Sequence, residues 1–371
     1  MFVALLLALG PAFSCNARSE DIPDKLNVEK TYSFVETIKN DDLRPVITSL
    51  ALSADGSTIY IGGDSQEIYA CNVEQTDIDV SQTFRDPSRS NANYVAGKDW
   101  IRALALSPSN PNLLASLSQD GQVVMWDVRT RRPVMKSSAS SENDVKGGHA
   151  LTFIKNGEML VASAYKSFAN VYDSSTLQQF TVWEAPSFGT TELASSALPG
   201  KDGKMKYVLA MGGRSGQLRV FRIKDPSIFA ECELVNSQGS VPRRIRAIAF
   251  SPSGRFVAFG GDSNRVQVCE IRLDQNENVI ISRPVECLSG VDGKVCSLTF
   301  CGETQLAAGY STNIVRVWDF EQNRITYEGT GHTGTVSTMC YDAQNNLLYT
   351  GSFDTTVKQW SLPTLATEIV H

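Results

Sequence analysis

The sequence predicts an all-β fold assembled from seven copies of one four-stranded antiparallel unit, and three observations carry that expectation. A strand-and-turn phrase recurs along most of the chain, a two-stranded hairpin follows each copy, and one side-chain position repeats at spacings of 42 to 55 residues. Self-similarity at such a period marks a fold whose units are stacked and bury a shared core.

The first half of the unit reads ITSLALSADG at residues 47–56, IRALALSPSN at 101–110 and IRAIAFSPSG at 245–254. Residues 295–300 (VCSLTF) and 336–341 (VSTMCY) repeat the strand, residues 151–153 (LTF) keep its centre, and the fourth copy, near residues 195–203, is degenerate. The second half is clearest at residues 113–127, LLASLSQDGQVVMWD, where two β-rich runs flank a polar, glycine-containing turn. That is the sequence form of a hairpin. Residues 58–72, 159–173, 208–222, 256–270, 305–319 and 347–361 align with it without gaps, and Cys71, Trp126, Tyr172, Phe221, Cys269, Trp318 and Trp360 supply the ruler. The longer repeats place their extra length in surface loops.

Trp126-Asp127 and Trp318-Asp319 are Trp-Asp dipeptides, Tyr172-Asp173 is a close variant, and Gly331-His332 opens the last copy. On these residues the chain, over positions 31–362, resembles the WD-repeat β-propeller family. The resemblance implies a seven-bladed β-propeller of four-stranded antiparallel blades. In the seventh repeat it implies a hydrogen-bonded chain through His332, Ser352, Asp354 and Trp360; the second repeat keeps Ser118, Asp120 and Trp126 but has Gly97 where the histidine would stand. Such residues are structural, satisfying buried polar atoms of an inner turn and so locking the blade. Aligning residues 151–153 with 298–300 places His149 opposite Cys296, inside the first strand.

A ring with open ends would expose a sheet edge. Residues 31–38 alternate like a strand, and the resemblance implies that this N-terminal strand closes the ring as the outermost strand of the last blade. The propeller is therefore expected over residues 31–371, with residues 18–30, rich in Asp, Glu and Lys, as a polar tether. The apolar run from Phe2 to Cys15 has the length of a signal-peptide core and is too short to span a bilayer. Residues 1–17 are read as an export leader, of signal-peptide or lipoprotein type, with Cys15 as the residue that would be lipidated. Export or membrane anchoring is the expected location if the leader is real and the cytoplasm if it is not, with membrane contact only through that leader or anchor.

The net charge of −6, with 20% charged and 42% hydrophobic residues, describes a chain with a large core and argues against one that coats nucleic acid nonspecifically. Beyond Cys15, seven cysteines without a C-x-x-C pair are read mainly as buried apolar residues. With three histidines, none at ligand spacing from a cysteine pair, no metal and no cofactor is expected. The run from Gly212 to Gly216 looks like a phosphate loop, but no helix follows it. No catalytic residues are assigned, and a non-catalytic scaffold is the expected role.

In the family, partners most often meet the face made by the loops entering the first strands and by the hairpin turns. Carried over by position, Val46, Thr48, Trp100, Arg102, Arg244, Arg246, Lys294, Thr335 and Ser337 would lie there, joined by turn residues Asp64, Gln119, Tyr165, Arg214, Asp262, Ser311 and Phe353. Trp100, Arg102, Tyr165, Arg214, Arg244, Arg246, Lys294 and Phe353 make this a basic, aromatic face suited to an acidic peptide segment of a protein partner. The cluster from Arg129 to Arg132 falls on the opposite side and is read as a solvated turn. A monomeric ring is expected. The alternative is a small-ligand sensor or enzyme at the central channel, which carboxylates or histidines converging on the channel mouth would favour.

Overall fold

The computed structural model describes residues 24–34, 45–65, 67–79, 83–84, 100–137, 149–163, 168–184, 189–223, 228–233, 243–263, 265–287, 292–320, 322 and 324–363. β-Branched and aromatic runs between Gly, Asn and Asp turns fold here as seven antiparallel sheets of mostly four strands. Each sheet is one blade, starting with the strands Ile47–Leu52, Ile101–Leu106, Leu151–Ile154, Thr190–Pro199, Ile245–Phe250, Val295–Phe300 and Val336–Asp342. These seven first strands touch in sequence around a circle, and the last meets the first. The ring is therefore a closed seven-bladed propeller with the first strands innermost.

The fourth blade departs from its expected outline. Its first strand begins at Thr190, ahead of the region near Ser195, and pairs along its length with Met205–Gly213. Thr190 stands where the first strands of blades one, two, five, six and seven open with Ile or Val, so the hydrophobic pattern alone hides the start of the strand.

The core consists of seven apolar seams, each between two neighbouring blades. All seven ruler residues are buried, from Cys269 and Trp360 at 0% exposure to Phe221 at 6%. Five junctions share one interlock. A Cβ added to Gly62, Gly212, Gly260, Gly309 or Gly351 would lie 2.6–2.8 Å from Ile101, Ile245, Val295, Val336 or Ile47, the first residue of the next blade's inner strand. Glycine on the second strand thus admits a branched knob from the neighbour, and burying each knob contributes about 1.5–3 kcal/mol.

Strand Val28–Phe34 pairs antiparallel with Val357–Ser361 and closes the seventh blade, as expected. Its anchor is Tyr32, fully buried, whose hydroxyl donates to Gln359 Oε1 at 2.6 Å and lies 2.9 Å from the Val73 carbonyl. Residues 24–30 correct the expected tether. Asp24–Leu26 pairs in parallel with Arg324–Gly329 at the rim of the sixth blade, and the closing strand already begins at Val28. The segment reads as a linker because an edge strand turns Asp24, Lys25 and Glu29 to solvent, while Leu26 tucks into the seam between blades six and seven. Residues 1–23, with the expected leader and Cys15, and residues 35–38 lie outside the described residues.

The blade-seven lock is present, with one member different. Trp360 Nε1 donates to Thr350 Oγ1, which is 2.8 Å from His332 Nε2, and His332 Nδ1 lies 2.8 Å from Asp354 Oδ2. Thr350, not Ser352, is the hydroxyl in the chain. Leu348 is the residue opposite Trp360, so the indole reaches its diagonal neighbour Thr350, while Ser352 lies a further two residues along and accepts the Asp354 N–H. Burial alone would raise the Asp354 carboxyl, but hydrogen bonds from His332, Thr356 and the Thr333 N–H outweigh it and hold it far below the usual range. Blade two repeats the arrangement: Trp126 Nε1 donates to Ser116, and Ser118 donates to Asp120 across the turn. In blade six Ala308 occupies the equivalent place, and the buried Trp318 Nε1 has no partner among the described residues. The aspartates of the dipeptides cap the next turn, Asp127 accepting from the N–H groups of Arg129 and Thr130, and Asp319 from that of Gln322.

Candidate functional site: a basic cavity at the channel mouth

The face around the channel is built by one device used repeatedly. The N–H of a turn residue donates to the carbonyl of the residue just before the inner strand: Asp64 to Val46, Gln119 to Trp100, Arg214 to Gly189, Asp262 to Arg244, Ser311 to Lys294 and Phe353 to Thr335. The loop and turn positions assigned from the sequence thus lie side by side in six blades. Tyr165, the corresponding turn residue of blade three, lies outside the described residues.

A bulge follows in the inner strand of each of these six blades, at Thr48, Arg102, Thr191, Arg246, Cys296 and Ser337. Where the bulge residue is a hydroxyl it staples two blades. Thr48 donates to the Ile101 carbonyl at 2.5 Å, Thr191 to Ile245 at 2.6 Å and Ser337 to Ile47 at 2.5 Å. Thr48 and Ser337 are therefore joints of the ring and not displayed contact residues. Blades two and five have Arg102 and Arg246 at this position in place of a staple.

Arg214, Arg243, Arg244, Arg246, Asp262 and Lys294 line one cavity of about 590 Å³. Four of the expected face residues, Arg214, Arg244, Arg246 and Lys294, are thus brought together by blades four, five and six. Arg246 pairs with Asp262 at 2.5 Å, and Arg243 donates to the Asp262 carbonyl at 3.4 Å. Burial, with the like charges of Arg246 and Arg214, lowers the basicity of Arg244. Its Nε is buried without a hydrogen-bond partner among the described residues.

Arg102 stacks on the Trp100 ring at 5.6 Å, and burial lowers its basicity, opposed by the charge of Glu192. Two groups that the sequence reading left without a role belong to this neighbourhood. Burial pushes the Glu192 carboxyl up to about 8, although the Leu193 N–H, Arg244 and Arg102 pull the other way. His149 is pushed down to about 3 by burial and by the positive charges of Arg102, Arg244, Arg214 and Arg246. In both side chains burial disfavours the charged form. Aligning Thr191 with Thr48 would have exposed Glu192 in the sequence, but the altered start of blade four concealed it.

Phe353 stands on the same face in blade seven, 46% exposed. Arg129 pairs with Asp127 at the other end of blade two. The Cys296 thiol is raised by burial, which disfavours a thiolate nucleophile. Among the described residues no three His, Cys, Asp or Glu side chains cluster to hold a metal. What this site offers chemically is anion binding.

Residues 90–127 and 323–361 match the family described as WD domain, G-beta repeat, and residues 204–288 match the Anaphase-promoting complex subunit 4 WD40 domain. The chain is similar to Cilia- and flagella-associated protein 52 of Mus musculus, 20% identical over 365 residues, covering 88% of this chain and 54% of that protein. The protein of the same name from Bos taurus is 19% identical over 363 residues, with the same shares covered. The chain thus spans about half the length of the curated relatives it matches. With matched repeats in blades two, four to five and seven, and the seven-bladed ring around them, the chain belongs to the WD-repeat β-propeller family.

Proposed function

We propose that the protein is a non-catalytic scaffold that docks an acidic peptide segment of a protein partner on the channel-mouth face. The observation that carries this is the convergence of Arg214, Arg243, Arg244, Arg246 and Lys294 on one cavity with Asp262 as the only carboxylate in its lining among the described residues, in a chain whose net charge is −6. A local excess of cations steers acidic segments and sets their orientation. Trp100 and Phe353 add the aromatic surface that anchors such contacts. The relatives' names associate those proteins with cilia and flagella, and we propose the same setting for this chain. The expected leader is a separate proposal, tested by the mass of the mature N terminus.

The test replaces Arg214, Arg243 and Lys294, all exposed, with glutamate together. Crosslinked capture by the wild type should retain partners that the variant loses, and capture should weaken as salt is raised because exposed charges are screened. Capture that survives both changes overturns the reading. A ligand sensor at the channel is the second reading, favoured by His149 and Glu192 at the channel mouth.

A further inference from the structure

The cavity bounded by blades four, five and six has three features that bear on what it could hold. It is a depression open to solvent with a volume of about 590 Å³, inside the range of small-ligand sites. Among the described residues its lining has five cations and one carboxylate, an excess of four positive charges. One of those cations, Arg244, is partly buried against like charges and has an Nε without a partner among the described residues. Where cations converge and one of them is partly buried, a bound anion offsets their mutual repulsion. The internal candidate, Asp262, is already engaged by Arg246.

From this geometry we infer that the cavity is a binding site for a compact polyphosphate, a ligand carrying two or more adjoining phosphate groups. Charge selects the class. One phosphate group has a charge of about −1.5 to −2 at neutral pH, so two adjoining groups match the excess of four and a single carboxylate does not. Shape agrees, because the guanidinium of Arg244, whose Nε has no partner among the described residues, is a planar fork of the kind that fits phosphate oxygens bidentately, and exposed Arg214 and Lys294 add charge at the rim. Arg246 stands where blades one, four and seven have a hydroxyl staple, so the bulge position of blade five supplies a cation to the cavity, its Nε held by Asp262. The site goes beyond partner docking and does not depend on it.

The experiment uses the purified full chain and sodium pyrophosphate as probe, with inorganic phosphate and sulfate at equal ionic strength. Calorimetric titration should show saturable one-to-one binding of pyrophosphate, about tenfold tighter than phosphate or sulfate, and a raised melting temperature. Arg244→Gln and Lys294→Gln should each weaken it about tenfold, while Arg129→Gln on the opposite side leaves it unchanged. Lys294 is exposed, so its variant keeps the test decisive if Arg244→Gln does not fold. Pyrophosphate bound no more tightly than sulfate, or bound equally by Lys294→Gln, overturns the site. Phosphatidylcholine vesicles with and without a bisphosphorylated phosphoinositide identify the source: added vesicle binding assigns a lipid headgroup, and pyrophosphate binding alone a soluble ligand. No partner protein is present, so failure here leaves the docking proposal standing, and loss of partner capture leaves this one standing.

Discussion

Replacing Thr350 with valine removes the hydroxyl at the centre of the blade-seven lock and keeps its branched shape. Thr350 is fully buried, accepts from Trp360 Nε1 and lies within hydrogen-bond distance of His332 Nε2, both at 2.8 Å. Valine strands two buried polar groups, each costing about 1–3 kcal/mol, and a loss of about 2–6 kcal/mol in total is expected. Thr350→Ser is the matched control: it keeps the hydroxyl and gives up one methyl, worth about 1 kcal/mol. Urea unfolding followed by tryptophan fluorescence should place the valine midpoint below the serine midpoint, with both slopes unchanged. A serine variant less stable than the valine variant would mean that methyl packing, and not the hydrogen-bonded chain, holds this turn.

Gly309→Ala should cost about 1–3 kcal/mol by overpacking, since its Cβ would press on Ser297 Oγ and lie 2.6 Å from Val336 Cγ1; an unchanged melting temperature would remove the interlock argument. Ala308→Ser should stabilise by about 1 kcal/mol by giving Trp318 Nε1 the acceptor that Ser116 gives Trp126, and a loss of stability would show that the seam has no room. Deleting residues 24–34 exposes the surfaces covered by Leu26, Tyr32 and Phe34, about 1.5–3 kcal/mol for each, so the urea midpoint should fall sharply; an unmoved midpoint contradicts the closure. Two buried groups impose opposite pH slopes. The Glu192 carboxyl rises from 4.5 to about 8 on folding, so stability present below pH 4.5 is lost as pH approaches 8. His149 falls from 6.5 to about 3, so its contribution is complete above pH 6.5 and lost as pH falls toward 3. Between pH 6.5 and 8 Glu192 acts alone, costing the wild type at most about 2 kcal/mol, less where channel water screens it. Urea midpoints should decline over that window in the wild type and stay level in Glu192→Gln; equal slopes would place Glu192 in ordinary solvent.

The strands were legible in the sequence because local alternation is what a half-buried strand requires, the seven repeats and their ruler because the chain resembles itself at a fixed period, and the closing role of the N-terminal strand through the family resemblance. Local pattern also marked Arg214, Arg244, Arg246 and Lys294 as residues of one face, since they share equivalent positions in their repeats. It misread residues 24–30, where outward charges on an edge strand look like a linker, and it placed Ser352 where Thr350 serves, because the reach of an indole across a hairpin depends on pairing register. Glu192 and His149 acquired their character only in the closed ring. Burial in the ring shifts both groups, arginines from other blades adding to the shift at His149 and opposing it at Glu192, and Arg243 joins Arg214 around a cavity only when blades four and five pack through the Gly212–Ile245 interlock. Sequence alone determined which residues belong to one face, because that follows from the period of the repeat. Tertiary structure decided which of them share a cavity and a charge, because electrostatic coupling depends on distance through space and on exclusion of water, and neither is a property of neighbours along the chain.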